Sequence, residues 1–207
     1  MKNRIILFGG TFDPIHLGHV RAAEAAQQYL DAERVIFIPA RRSPCKPEPP
    51  SASEEDRLRM VQLAIEGHEG FEVSDCEFHR PPPSYTVETV QEFRERLGSE
   101  ADLFWLLGAD AVKDLPCWYQ IDRLMELCRM AVMYRAGYPK PGFSLCKPYF
   151  TAEQIRSLEE NVVPVPLVDI SSSEIRRRLA CGQDVSDKVP APAAEYIRRR
   201  RLYGCGC

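Results

Sequence analysis

Two histidines three residues apart, His16 and His19, lie in the string Gly9-Gly10-Thr11-Phe12-Asp13-Pro14-Ile15-His16-Leu17-Gly18-His19. The string follows an apolar, strand-like run, Arg4 to Phe8, and a helix-like run follows it. It therefore puts two glycines, a hydroxyl and two imidazoles at one strand-to-helix turn. Such a turn is where open α/β sheets bind nucleotides. The first N–H groups of the helix are free and carry a partial positive charge, which suits a phosphate. Glycines let the backbone approach a ligand closely. At a spacing of three, His16 and His19 share one side of the helix start. Taken alone, the two rings also suit a surface pair or a metal pair.

A second string with chemistry in it is Ile170-Ser171-Ser172-Ser173-Glu174-Ile175-Arg176-Arg177-Arg178-Leu179. A serine cap with an arginine in the first turns makes an anion site. The same residues also suit a capped amphipathic helix with a solvated basic face.

Strand-like runs that could carry these strings are Ile5 to Phe8, Val35 to Ile38, Phe71 to Ser74, Leu103 to Leu107, Met130 to Tyr134 and Val163 to Val168. Helix-like runs lie between them, from about Leu17 to Leu30, from a Ser53 cap through an acidic first turn, from Thr86 through Arg96, and from Glu174 to Leu179. Strands alternating with helices predict βαβ units. The fold expected is a Rossmann-like, doubly wound α/β domain, with a mainly parallel sheet and helices on both faces. One domain over 1–207 is expected, with a C-terminal helical portion at about 171–203. The stretches Arg41 to Ser53 and Gly137 to Tyr149 are loop-rich.

The 207 residues are 44% hydrophobic and 28% charged, as expected of a globular chain. A formal net charge of -3 argues against a nucleic-acid partner held by a basic face. No apolar run approaches the roughly 20 residues needed to span a bilayer. The basic start, Met-Lys-Asn-Arg, is followed by too short an apolar run for a signal peptide, so the chain reads as cytoplasmic. Eight cysteines without a signal peptide do not imply disulfides. The first six are scattered as buried or incidental thiols. Cys205-Gly206-Cys207 reads as a frayed tail, since two thiols do not complete a zinc site.

The N-terminal string resembles the signature of the nucleotidyltransferase superfamily that carries an HxGH element, and Ile170 to Arg176 resembles its ISSTxIR element. Three further strings narrow the resemblance: Pro83-Ser84-Tyr85-Thr86, Leu107-Gly108-Ala109-Asp110, and Leu115-Pro116-Cys117-Trp118-Tyr119. In this order, and over nearly the whole chain, they are similar to the bacterial nicotinate-nucleotide adenylyltransferases of NAD synthesis. The resemblance implies that the 5′-phosphate of nicotinate mononucleotide attacks the α-phosphorus of ATP, releasing pyrophosphate and forming deamido-NAD.

It also implies roles. His16 and His19 hydrogen-bond the phosphates and stabilise developing charge. Gly9, Gly10, Thr11 and Phe12 form the turn that receives ATP. Lys46 and Arg176 contact phosphates, helped by Ile170, Ser172 and Ser173 at the helix start. Gly108 and Asp110 sit at a strand end, where Asp110 accepts a ribose hydroxyl or acts through Mg²⁺. Trp118 stacks on the pyridine ring, with Ser84, Tyr85, Thr86 and Tyr119 around it. Mg²⁺ accompanies ATP, and no protein metal cage is implied.

Two departures stand out. The family's Pro-His-Lys loop is Pro44-Cys45-Lys46 here, so the lysine stays and the histidine is lost. Pro83 stands where the family has glycine. Other acceptors, a nicotinamide substrate, a catalytically dead nucleotide sensor, and an anionic partner for Arg198 to Arg201 are the competing readings. Homo-oligomerisation is left open.

Overall fold

The computed structural model describes residues 3–44, 46, 48–166 and 168–204. Six strands form one parallel sheet: β1 (Arg4–Gly10), β2 (Arg34–Pro39), β3 (Phe71–Val73), β4 (Asp102–Gly108), β5 (Arg129–Arg135) and β6 (Val162–Val165). Their order is β3-β2-β1-β4-β5-β6. The order reverses at β1, which is the doubly wound arrangement expected from the sequence. The apolar run of β4, from Leu103 to Leu107, is buried throughout. A parallel strand covered on both faces needs such a continuous run. In register, Ile5 pairs with Leu103 and Leu106 with Ala131.

Among the described residues, seven α-helices connect and cover the strands: α1 (Leu17–Tyr29), α2 (Glu54–Ile65), α3 (Thr86–Leu97), α4 (Ile121–Leu127), α5 (Ala152–Glu160), α6 (Ser172–Ala180) and α7 (Ala191–Arg200). The Ser53 side chain accepts the Asp56 N–H at 3.0 Å and caps α2. A cap of this kind contributes about 1 kcal/mol. β6 stops at Val165, short of the Val168 expected, and Pro166 lies just beyond it. β6 is an edge strand, which is why Pro164 is tolerated within it.

The described residues divide into two compact units. One draws on Met1–Gly9, Ala22–Ile36 and Tyr85–Leu167, the other on Gly10–Arg21, Phe37–Ser84 and Val168–Cys207. In the first, Arg94 of α3 donates to the carbonyls of Ala101 and Leu127 at 2.6 Å each, which ties the start of β4 to the end of α4. In the second, α2 packs on α7 and on β3, and the Tyr196 hydroxyl of α7 donates to Asp56 Oδ1 at 2.9 Å. The turn Leu202–Gly204 packs on α6 and α7.

Cys76, Cys128 and Cys146 are buried, whereas Cys117 and Cys181 are exposed. Burial pushes the Cys128 thiol up to about 12, so it stays protonated and inert. Cys45 and the Cys205-Gly206-Cys207 tail lie outside the described residues. Among the described residues, no helix is long and apolar enough to cross a membrane.

Candidate active site

The turn after β1 is built by close contacts that only glycine allows. A Cβ on Gly9 would lie 2.4 Å from the Trp105 ring, and one on Gly10 would lie 2.8 Å from the Phe12 ring. These two glycines thus have a packing reason of their own. Phe12 is buried with a left-handed φ of 47°. That conformation costs a bulky residue about 1–2 kcal/mol. Its ring is held between Phe37, at a centroid distance of 5.8 Å, and the edge of His19, at 5.1 Å.

The two histidines form a stack, with ring centroids 3.7 Å apart and planes 22° apart. A Cβ at residue 18 would sit 2.9 Å from His16 Nδ1, so the stack requires the glycine between them. The His16 backbone N–H donates to His19 Nδ1 at 3.2 Å. With Nδ1 accepting, the proton of a neutral His19 ring sits on Nε2. Burial lowers the His16 pKa to about 4, against a weaker opposing effect of its own backbone hydrogen bond. Burial, followed by the neighbouring His16 and Lys46, holds His19 well below the usual imidazole range. Both rings are therefore neutral near pH 7, and an anion bound there would meet N–H donors rather than imidazolium charge.

This burial has a measurable consequence for stability. Between pH 6.5 and about 4 the unfolded chain protonates at residue 16 while the folded chain does not. Stability is therefore fully present above about pH 6.5 and falls as pH drops through that window. His16 alone should remove about 2 kcal/mol on going from pH 7 to pH 5. Urea unfolding at the two pH values measures this, and a His16→Asn variant should show a smaller drop. Equal midpoints for the native chain at pH 7 and pH 5 would contradict the buried neutral ring.

Cationic side chains converge on the same turn. Lys46 Nζ donates to Thr11 Oγ1 at 2.9 Å. Burial lowers the Lys46 pKa, with Arg176 adding to the shift and Asp13 opposing it. Arg176 Nη1 donates to the Asp13 carbonyl at 2.7 Å, and Nη2 to Ser173 Oγ at 3.3 Å. Ser172 Oγ donates to the Pro14 carbonyl at 2.9 Å. At the start of α6 the Ser171 side chain takes the Glu174 N–H and the Ser171 carbonyl takes that of Ile175. No carbonyl within the helix can satisfy the N–H groups of Ser172 and Ser173. Thr11, Phe12, His16, His19, Lys46, Ser172, Ser173 and Arg176 thus come together in the second unit, just after Ile170, which is half-buried.

The first unit holds Gly108, Asp110, Tyr85, Thr86, Trp118 and Tyr119. Gly108 ends β4, and a Cβ there would meet open space. Asp110 is exposed in the 3-10 turn Ala109–Cys117 that follows. Trp118 is half-buried, and its backbone N–H donates to the Leu115 carbonyl at 3.1 Å. Thr86 opens α3, and the rings of Tyr85 and Tyr119 lie 4.4 Å apart. Ser84 belongs to the second unit, where its hydroxyl accepts the Arg41 N–H at 3.0 Å.

Three residues at the histidine turn have no assigned role in the sequence pattern. Asp13, Arg57 and Tyr203 interlock there, and only Asp13 lies inside a recognisable motif.

Residues 7–178 match the description of the cytidylyltransferase-like family. The chain belongs to this family. Within it, relatives named "Probable nicotinate-nucleotide adenylyltransferase" align over almost the full length. The one from Thermus thermophilus is 43% identical over 205 residues, covering 97% of this chain and 99% of the relative. The one from Thermomicrobium roseum is 39% identical, covering 97% and 92%. The chain is therefore also a member of the nicotinate-nucleotide adenylyltransferases. Among solved structures, the Plasmodium falciparum nicotinic acid mononucleotide adenylyltransferase complexed with NaAD superposes with a TM-score of 0.75 at 18% identity, covering 98% of both chains. At that identity the likeness is one of fold.

Proposed function

We propose that this chain transfers the adenylyl group of ATP to nicotinate mononucleotide, forming deamido-NAD and pyrophosphate in NAD biosynthesis. The observation that carries the reading is the stacked, neutral pair His16 and His19 gathered with Lys46 and Arg176 in one unit, in a chain 43% identical to a relative of that name.

Both substrates are anions, so the first task is to neutralise and align them. Arg176 and the Ser172 and Ser173 amides at the start of α6 serve the outer phosphates, and Lys46 serves the same region from the loop after β2. His19 Nε2–H and the His16 ring serve the oxygens of the α-phosphorus, where charge grows as the mononucleotide phosphate attacks. No covalent nucleophile is needed. On the acceptor side, Trp118 stacks on the pyridine ring, and Thr86 and Tyr119 offer backbone donors to its carboxylate. Tyr85 shapes that pocket. Gly108 leaves room for close approach at the end of β4.

Mg²⁺ fits this arrangement. It keeps several waters and takes one or two carboxylates along with phosphate oxygens, and the exposed Asp110 offers such a carboxylate or accepts a ribose hydroxyl. Bound with ATP, the ion would supply charge neutralisation across the phosphates. A cytoplasmic setting follows from the substrates.

The test is pyrophosphate release from ATP and Mg²⁺ with nicotinate mononucleotide or nicotinamide mononucleotide supplied separately. Strong release with the acid and little with the amide is expected. Comparable release with both would keep the chemistry and refute the acceptor. Silence with both would refute the reaction.

A further inference from the structure

Asp13 is buried, yet its carboxylate is fully engaged. Oδ2 accepts the Ser51 N–H at 2.7 Å, while Oδ1 accepts the Ala52 N–H at 3.1 Å and the Tyr203 hydroxyl at 2.7 Å. Arg176 Nη1 lies 3.9 Å from Oδ2 and donates to the carbonyl of the same residue at 2.7 Å. The next carbonyl, that of Pro14, takes the Ser172 hydroxyl. One short segment, Asp13-Pro14, therefore fixes both the Arg176 guanidinium and the first turn of α6. Besides the Ser51 and Ala52 N–H groups, it is anchored by a tyrosine 190 residues away in sequence.

Tyr203 is held in an unusual way. Its backbone is left-handed, with φ 61° and ψ 27°, and Arg201 two residues earlier is left-handed too, with φ 51°. Such conformations persist in bulky residues only where the surroundings over-determine them. Here the phenol is tied to Asp13 and the turn Leu202–Gly204 packs on α6, the helix that carries Arg176. Burial and the bond to Asp13 both push the phenol pKa up, so the hydroxyl remains a donor at any working pH.

We infer that Tyr203 is a positioning residue for adenylyl transfer: its hydroxyl, through Asp13, sets the Arg176 guanidinium for the outer phosphates of ATP. The inference rests on the proposed role of Arg176. Tyr203 itself touches no substrate. A sequence at the far end of the chain thereby controls the nucleotide half of the reaction and leaves the pyridine half alone.

The experiment is a double-mutant cycle of Tyr203→Phe and Arg176→Ala, assayed by pyrophosphate release well below each variant's unfolding midpoint. Each substrate is varied with the other saturating. Phenylalanine keeps the ring and its packing, so the variant folds. Tyr203→Phe should lower kcat/KM for ATP about tenfold and change KM for the mononucleotide by less than about twofold, the scale of coupling within one contact network. In the Arg176→Ala background the same change should cost nothing further. Equal losses in both backgrounds would overturn the positioning role and leave the reaction untouched. An Arg176→Ala enzyme with unaltered kcat/KM for ATP would instead remove Arg176 as a phosphate ligand, and the inference with it.

Discussion

Replacing His19 with alanine should lower turnover by about 2–4 kcal/mol of transition-state stabilisation, a factor of roughly thirty to a thousand. The size follows from what the ring contributes. Its Nδ1 accepts the His16 N–H, so the ring would meet a developing phosphate charge through Nε2–H. That donor is fixed in advance by the stack on His16 and by the edge contact with Phe12. A preorganised donor of this kind acts without reorganising as charge develops, which is why losing one costs so much.

A structural role for His19 makes a different prediction. If the ring only caps the start of α1, then His19→Asn should restore activity, because an asparagine oxygen can accept the same N–H. If the ring acts through Nε2–H, asparagine keeps the cap and loses the distal donor. His19→Asn should therefore fold like the native chain and turn over as poorly as His19→Ala. Turnover within about twofold of native in the asparagine variant would exclude the distal donor, given that one such donor is worth far more.

Much of this architecture is legible in the chain because its signals are local. β4 shows itself as an unbroken apolar run, and α2 as a serine cap before an acidic turn. The histidine turn and the start of α6 are contiguous strings, so composition and spacing suffice to find them. α4 and α5 are shorter and mixed in composition. α5 nevertheless carries a readable signal, since Thr151 and Gln154 form a capping box. The two compact units are invisible to composition because each is assembled from three separate segments.

The supporting residues are illegible for a different reason. Arg57 follows Ser53-Glu54-Glu55-Asp56 and looks like part of a solvated helix face, yet both Asp56 and Arg57 are buried. Tyr203 reaches Asp13 across nearly the whole length of the sequence. Pairings at such separation leave no periodicity, and a lone tyrosine after an arginine run carries no pattern of its own.

Arg57 is where that hidden layer should matter most for stability. Its side chain is 1% exposed. Nη1 donates to the Thr11 carbonyl at 2.9 Å and to the Ala40 carbonyl at 2.6 Å, which joins the turn after β1 to the loop after β2. The guanidinium carbon lies 5.2 Å from the centre of the Phe78 ring. Burial lowers the Arg57 pKa, and Asp13, Glu54, Tyr203 and Glu77 oppose that shift. Arg57→Met fills similar space without the charge. Buried ion networks replaced as a whole by apolar groups can be neutral, but removing one partner leaves uncompensated charge behind. Asp13 stays buried in this variant, and two carbonyls lose their donor.

Arg57→Met should therefore lose about 3–5 kcal/mol of folding stability, lowering Tm by on the order of 10 °C for a chain of this size. Arg57→Lys keeps the charge but replaces the planar guanidinium that lies over Phe78 with a compact ammonium, so it should fall between the two. Adding Asp13→Asn to Arg57→Met should cost less than the sum of the single changes, because the stranded charge is then gone. A Tm for Arg57→Met within about 2 °C of native, under 1 kcal/mol on this scale, would show that the carboxylates around Arg57 draw their compensation from elsewhere.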